Sequence, residues 1–186
     1  MIIYWTDNFK LNKKDLKKAI KKIKNDPECI ISKETEKCYT SYYVQGLNNR
    51  PEIIFLNNYK KIIFKFMKDM NLFNNASFSF SHWMQVYTKE MTHIDCHHHF
   101  KYETIFSYVH FVKTSKKQCF YFLSHEGNKI YPKKQNLGDF IVFPSWALHG
   151  TDPIEYEEER VIIAGNINFD EFCGNNANLT PTSITK

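Results

Sequence analysis

The residues best suited to chemistry in this chain are histidines. Eight are present, and three are consecutive in the run Asp95-Cys96-His97-His98-His99. Side chains two apart on a strand share a face, so His97 and His99 can address one ion while His98 points away. A third ligand must come from elsewhere, and His149, which closes FPSWALH, is the candidate. The long separation suits two distant strands brought face to face in a rolled sheet. Imidazole nitrogen suits iron, zinc, copper, nickel or manganese. Three protein ligands leave positions open for water or substrate, as a catalytic ion requires. The same parity leaves an alternative open. His93, Asp95, His97 and His99 would all share one face of a single extended strand, and His93/Asp95 would supply the carboxylate of a facial triad. The later pair lies nearer the strand that begins around Thr104. His82, His110 and His125 read as ordinary polar residues of core or surface.

Arginine usage adds a second signal. The chain has only two arginines, Arg50 and Arg160, among 25 basic residues. Lysine therefore carries the ordinary surface charge, and arginine is expected where a planar, bidentate donor is required. The formal charge of +5 is concentrated in the lysine-rich run KLNKKDLKKAIKKIK at 10–24. A single cationic face without interleaved aromatics reads as a solvated helix surface rather than a nucleic-acid site. The five cysteines, an odd number with no CxxC spacing, argue against a disulfide framework or a cysteine zinc ribbon. They suggest reduced thiols and a cytoplasmic protein. No stretch of about 18 or more apolar residues exists, so no membrane span is expected. The N-terminus places apolar residues before its charges, the wrong order for a signal peptide.

These candidates need a scaffold. The 186 residues, 42% hydrophobic, suffice for one domain with its own core. The N-terminal part, 1–75, is expected to be helical. Leu16, Ala19, Ile20 and Ile23 have helical spacing, with Asn12 as N-cap and Pro27 just past the end. A second helix, from Pro51 or Asn57 to Leu72, presents Tyr59, Ile62, Ile63, Phe66, Met67 and Met70 as a core-facing stripe. Between them, 28–50 is polar, with turn signals at Gly46, Asn48-Asn49 and Pro51. From Ala76 the pattern becomes strands: 78–88, 104–114, 118–124, a short one in 127–132, FIVFP after a turn at Gly138-Asp139, and 160–168. The tail, 171–186, is polar and expected to be loosely ordered. Helices followed by a run of strands give an α+β fold, with helices covering one face of a sandwich or barrel.

Taken together, residues 80–168 resemble the iron(II)- and 2-oxoglutarate-dependent oxygenases, in particular small bacterial and phage proteins related to prolyl hydroxylases. The likeness rests on Trp83, His97 and His99, FSYVHFV at 106–112, Gly138-Asp139, FPSWALH at 143–149, Arg160 and Asn166. It implies a double-stranded β-helix, or jelly roll, with a core spanning 76–170. His97, His99 and His149 would be the iron(II) ligands, and Arg160 would bind the distal carboxylate of 2-oxoglutarate, a dicarboxylate that suits a bidentate guanidinium. The competing role for Arg160 is a surface ion pair with Glu157–Glu159. The implied reaction is hydroxylation of a small-molecule or peptide substrate, peptidyl proline among the candidates, coupled to decarboxylation of 2-oxoglutarate. Two positions differ from the family pattern. Ile162 stands where many members have serine or threonine, and a neutral histidine replaces the usual aspartate ligand.

The same residues also resemble a cupin, with His97, His99 and Glu103 as its first motif and Gly138, Pro144 and His149 as its second. That resemblance implies Glu103 as a fourth ligand and no need for 2-oxoglutarate. A third class is a jelly roll with a degenerate site, acting through its lysine-rich helix. Tyr39, Tyr42, Tyr43 and Tyr102 could line a substrate groove, although packing is the simpler account of them.

Overall fold

In a computed structural model, the structure describes residues 4–72, 75–101, 103–114, 117–153, 159–174 and 178–182. The first helix, α1, runs Lys13–Asn25, and the Asn12 side chain accepts from the Lys14 and Asp15 amides. Two of the helix's free N–H groups are thereby satisfied. Ala19 and Ile23 face the core, while the lysines of the opposite face are exposed. A 3-10 turn at Pro51–Phe55 leads into α2, Leu56–Asp69, whose Tyr59, Ile62, Ile63, Phe66 and Met67 are buried. Met70 departs from the expected stripe. It caps the helix and is 47% exposed, because the chain has already left helical geometry there.

Twelve strands are described: β1 Trp5–Asn8, β2 Ile30–Ser32, β3 Glu36–Thr40, β4 Asn75–Tyr87, β5 His93–His97, β6 Thr104–Lys113, β7 Phe120–Leu123, β8 Lys129–Ile130, β9 Asp139–Pro144, β10 His149–Thr151, β11 Arg160–Gly174 and β12 Leu179–Pro181. They pair in the order β1-β9-β6-β11-β4-β3-β5-β10-β7-β8, with β2 on β3 and β12 parallel to β4. All other pairings among them are antiparallel. The curled sheet with helices against one face is the expected α+β jelly roll. Its two halves are joined where β3 pairs with both β4 and β5.

The long strands of the larger half are two-sided. On β4, Phe78, Phe80, Met84 and Val86 point outward and join the helices in one cluster, together with Val161, Ile163 and Ile167 of β11. The alternate residues point inward, where Tyr87, Val109, Ile162, Phe120, Phe122 and Phe143 form a second cluster between the halves. The period of two along each strand thus separates a helix-covered face from the inside of the roll.

Several strands fall in segments read from sequence as irregular. β1 and the β2–β3 pair lie in the N-terminal part expected to be helical and polar. β12 lies in the tail expected to be loosely ordered, and its Leu179 is only 3% exposed beside β4. Each is short and gains its stability from a long-range partner, so local pattern carries little trace of it.

Candidate metal centre

The structure brings His97, His99 and His149 together. One ring nitrogen of each lies within 4.8 Å of the others. Ring centroids are 4.5 Å apart for His97/His149, 5.0 Å for His97/His99 and 5.2 Å for His99/His149. The route differs from the distant, face-to-face strands expected. His97 of β5 and His149 of β10 are direct cross-strand neighbours, so their side chains leave the same side of one ladder. His99 lies just beyond β5, and its amide donates to the Ser145 carbonyl at 3.0 Å. His98 is exposed, as expected.

The motif FPSWALH makes this possible. Phe143, Ser145, Ala147 and His149 are buried, while Trp146 and Leu148 are exposed. Ser145 Oγ donates to the Thr104 carbonyl at 2.6 Å, and the Ala147 amide donates to the Pro144 carbonyl at 2.9 Å. His149 packs against the Phe143 ring at 4.8 Å. Its Nδ1–H donates to the Ala147 carbonyl at 2.8 Å, and His97 Nδ1–H donates to the Asp95 carbonyl at 2.7 Å. In both rings Nε2 is left as the lone-pair donor, the usual way a ligand tautomer is fixed. Burial lowers all three pKa values: His149 falls to about 3, His99 well below its ordinary value, and His97 in the same direction. The rings are therefore neutral at pH 7, the form that binds a metal.

The His93/Asp95 alternative is not assembled. The β5–β10 register shifts by one residue between the His149↔His97 and Thr151↔Ile94 pairs. That irregularity breaks the parity that would have put four residues on one face. His93 and Asp95 instead face each other, Nε2 to Oδ1 3.5 Å, and the Asp95 side chain is 57% exposed. Glu103 is also exposed and stands outside the three-histidine group, so a fourth ligand of the cupin kind is not in place. His110 is a satisfied core histidine, accepting from Tyr59 Oη at 2.8 Å and donating to the Phe9 carbonyl at 3.0 Å. His82 is buried and His125 is exposed.

Arg160 opens β11 opposite Tyr87. It shares a face with Ile162, Ala164 and Asn166, which line the central cavity. The side chain is 2% exposed, and the guanidinium carbon stacks 4.4 Å over the Tyr87 ring. Nη2 reaches the Asp152 carbonyl at 3.4 Å, whereas Nε and Nη1 have no partner. Glu159 does not compete for it, since its carboxylate binds Lys24 and Lys113, each at 2.8 Å. Glu157 and Glu158 lie outside the described residues. A buried guanidinium with two free N–H-bearing nitrogens suits a carboxylate ligand. Arg50, the other arginine, is buried as well, but its Nε and Nη1 donate to the Val44 and His82 carbonyls at 3.2 and 2.9 Å. Its role is structural.

The three histidines open on a cavity of about 920 Å³ between the two halves of the roll. Tyr87, Gln85, Thr151 and Glu36 also line it, without being candidates on sequence grounds. Tyr87 Oη donates to Gln85 Oε1 at 3.0 Å. The sequence signal for Tyr87 is its strand parity with Trp83, but Glu36, in a short mixed-polarity strand, gives none. Tyr42 and Tyr43 also line the cavity, whereas Tyr39 packs against the helical cluster. Tyr102 lies outside the described residues. Cys29, Cys38 and Cys96 are free thiols. Among the described residues, no helix is long and apolar enough to cross a membrane.

No family model matches this sequence, and no curated protein matches it. Solved structures do. A prolyl-4-hydroxylase of Pseudomonas putida is 11% identical with a TM-score of 0.58, covering 90% of this chain and 93% of its own. The viral collagen prolyl hydroxylase of Paramecium bursaria Chlorella virus-1, solved as a 2-oxoglutarate complex, is 13% identical with a TM-score of 0.58, covering 90% and 96%. A Trichoplax adhaerens prolyl hydroxylase, bound to a hypoxia inducible factor peptide fragment, is 10% identical with a TM-score of 0.62, covering 90% and 83%. The chain has the double-stranded β-helix fold of these oxygenases.

Proposed function

We propose that the protein is an iron(II)- and 2-oxoglutarate-dependent oxygenase that hydroxylates a C–H bond of a peptide or small molecule. One observation carries this reading: three neutral imidazoles converge on one point, and the β11 face that lines their cavity begins with a buried guanidinium with unpaired donors. A metal alone would explain the histidines but not Arg160. A dicarboxylate that bridges the two explains both.

His97, His99 and His149 would hold the ion, and Arg160 would hold the far carboxylate. Bound there, iron(II) and 2-oxoglutarate supply the oxidation of an unactivated C–H by dioxygen. The chain's own contributions are distinct. The Asp95 and Ala147 carbonyls fix two ligand rings in the binding tautomer. Tyr87 supports the guanidinium, whose carbon lies 4.4 Å over its ring. Phe120, Phe143 and Trp83 give the site apolar walls that exclude water. All three ligands are neutral, so the site adds no negative charge of its own to the ion. The carboxylates of the cosubstrate would provide that compensation.

Anaerobic addition of iron(II) with 2-oxoglutarate should produce a weak visible charge-transfer band. Arg160→Ala should abolish it. Absence of the band in the wild-type protein, at concentrations where iron alone binds, would overturn the assignment.

A further inference from the structure

The cavity holds a second chemical feature that the ion and the dicarboxylate leave unused. From His99 a row of aromatic rings runs along its wall: Trp83 at 5.6 Å, then Tyr42 at 5.0 Å from Trp83, then Tyr43 at 5.0 Å from Tyr42. The last two pairs meet at 82° and 81°. At this separation each pair is in edge-to-face contact, so the row forms one continuous aromatic wall of the cavity. All three rings line the cavity, and so does Glu36. Glu36 alternates with Cys38 and Thr40 on β3, so it shares the face that puts Cys38 in the inner cluster. Its Oε2 accepts from Tyr43 Oη at 3.2 Å, which sets a carboxylate at the end of the aromatic row.

Charge points the same way. Apart from histidines, the charged residues lining the cavity are Glu36, Asp95, Lys101 and Glu103, and of these Glu36 alone is not exposed. The partly buried charge at the end of the aromatic row is thus a carboxylate, in a chain of net charge +5. Aromatic faces attract cations through their negative quadrupole, most strongly when desolvated. The Tyr43 ring already does so, with the Lys33 ammonium 5.5 Å over it.

We propose that the cavity binds an organic cation, specifically an alkylammonium, along the cavity side of the Trp83, Tyr42 and Tyr43 row and against the Glu36 carboxylate. Its alkyl chain would extend along the row toward the three histidines. The substrate class is then an amine, carried either by a lysine side chain or by a free small molecule. The link to a reaction rests on the oxygenase reading above, whereas the binding itself does not.

The test is calorimetric titration of the full chain with four probes. Two are cationic, n-butylammonium and N-acetyl-lysine methylamide. The others are their neutral counterparts, pentan-1-ol and N-acetyl-norleucine methylamide. Each cation should bind at least about tenfold tighter than its counterpart. Preference between the two cations identifies the source, peptide or free amine. Glu36→Gln and Tyr42→Leu should each weaken the cations about fivefold or more and leave the neutral probes unchanged, which also reports that the variants are folded. Equal binding of cation and neutral counterpart, or cation binding retained in both variants, would overturn the proposal. Titrations are run with and without iron(II) and 2-oxoglutarate. A normal charge-transfer band without cation selectivity sinks this inference alone. Cation selectivity without the band sinks the oxygenase assignment alone.

Discussion

Replacing Arg160 with methionine should separate a ligand-binding guanidinium from a structural one. The side chain is 2% exposed, with Nε and Nη1 unpaired and one long contact from Nη2 to the Asp152 carbonyl at 3.4 Å. A buried unsatisfied donor costs about 1–3 kcal/mol. Stacking over Tyr87 at 4.4 Å returns about 0.5–2 kcal/mol. Methionine keeps the stem in contact with the ring and removes the orphaned donors. Without ligand, the variant should therefore be as stable as wild type or more so, by up to about 2 kcal/mol. At about 2–4 °C per kcal/mol for a chain of this size, that is a Tm gain of up to about 4–8 °C. Ligand reverses the ranking. At a hundred times its Kd, 2-oxoglutarate with iron(II) should stabilise wild type by about 2.7 kcal/mol, or about 5–11 °C, and the variant not at all. Anaerobic thermal melts with and without iron(II) and 2-oxoglutarate measure both quantities. If ligand-free Arg160→Met melts several degrees below wild type, the guanidinium belongs to the scaffold and does not await a carboxylate. A ligand-induced rise that persists in the variant would refute the assignment equally.

Other perturbations test the site and its scaffold. Cobalt(II) absorbance should report at least about 100-fold weaker binding in His99→Ala and no change in Glu103→Ala or Asp95→Asn. Weakened cobalt binding in Glu103→Ala would restore the cupin arrangement. Gly165→Ala should destabilise by about 3 kcal/mol or more, because a Cβ there would overlap the Ser81 carbonyl oxygen and the Tyr108 ring; an unshifted urea midpoint would contradict the packing of β11 on β4. The metal-free protein should lose stability in acid. Burial lowers His82 and His110 from 6.5 to about 4 and His149 to about 3. Below pH 6.5 the unfolded chain takes up these protons and the folded chain does not, so stability falls as pH drops from about 6.5 toward 4. At pH 5 each costs about 2 kcal/mol. Glu52, raised by burial to about 7, works in the opposite direction between 7 and its ordinary 4.5. A net loss on the order of 3 kcal/mol remains, and urea midpoints that stay level from pH 8 to pH 5 would refute it.

How much of the fold and site is legible in the sequence depends on how local each cause is. The stripes of α1 and α2 and the long strands β4, β6, β9 and β11 follow from hydrophobic period alone, since each buries a continuous face. Arginine rarity singles out Arg50 and Arg160, and both are buried, but rarity cannot separate their roles. That difference lies in whether carbonyls such as Val44 and His82 reach the donors, which only the fold decides. β3 escapes sequence reading because Glu36-Lys37-Cys38-Tyr39-Thr40 has no apolar alternation. Its inward face gives only Cys38 to the inner cluster and turns Glu36 to the cavity, and its pairing with both β4 and β5 is a property of the closed roll. β12 escapes it because one buried leucine is too little local pattern.

The choice between the two histidine pairs shows the same division at finer scale. Strand parity alone puts His93, Asp95, His97 and His99 on one face and leaves two ligand sets equally reachable. A one-residue shift in the β5–β10 register removes that degeneracy. With Thr151 opposite Ile94 and His149 opposite His97, the extra residue falls at Asp95-Cys96, and the side chains on either side of it no longer share a face. Ile94 then packs beside the inner cluster, while the Asp95 carboxylate turns to His93 and solvent. Only the Asp95 backbone serves the site, its carbonyl holding the tautomer of His97. A carboxylate ligand is therefore available in the sequence within two residues of the centre and is directed away by strand geometry. The all-imidazole donor set follows from that register, and so does the dependence of the site on charge brought by its ligands.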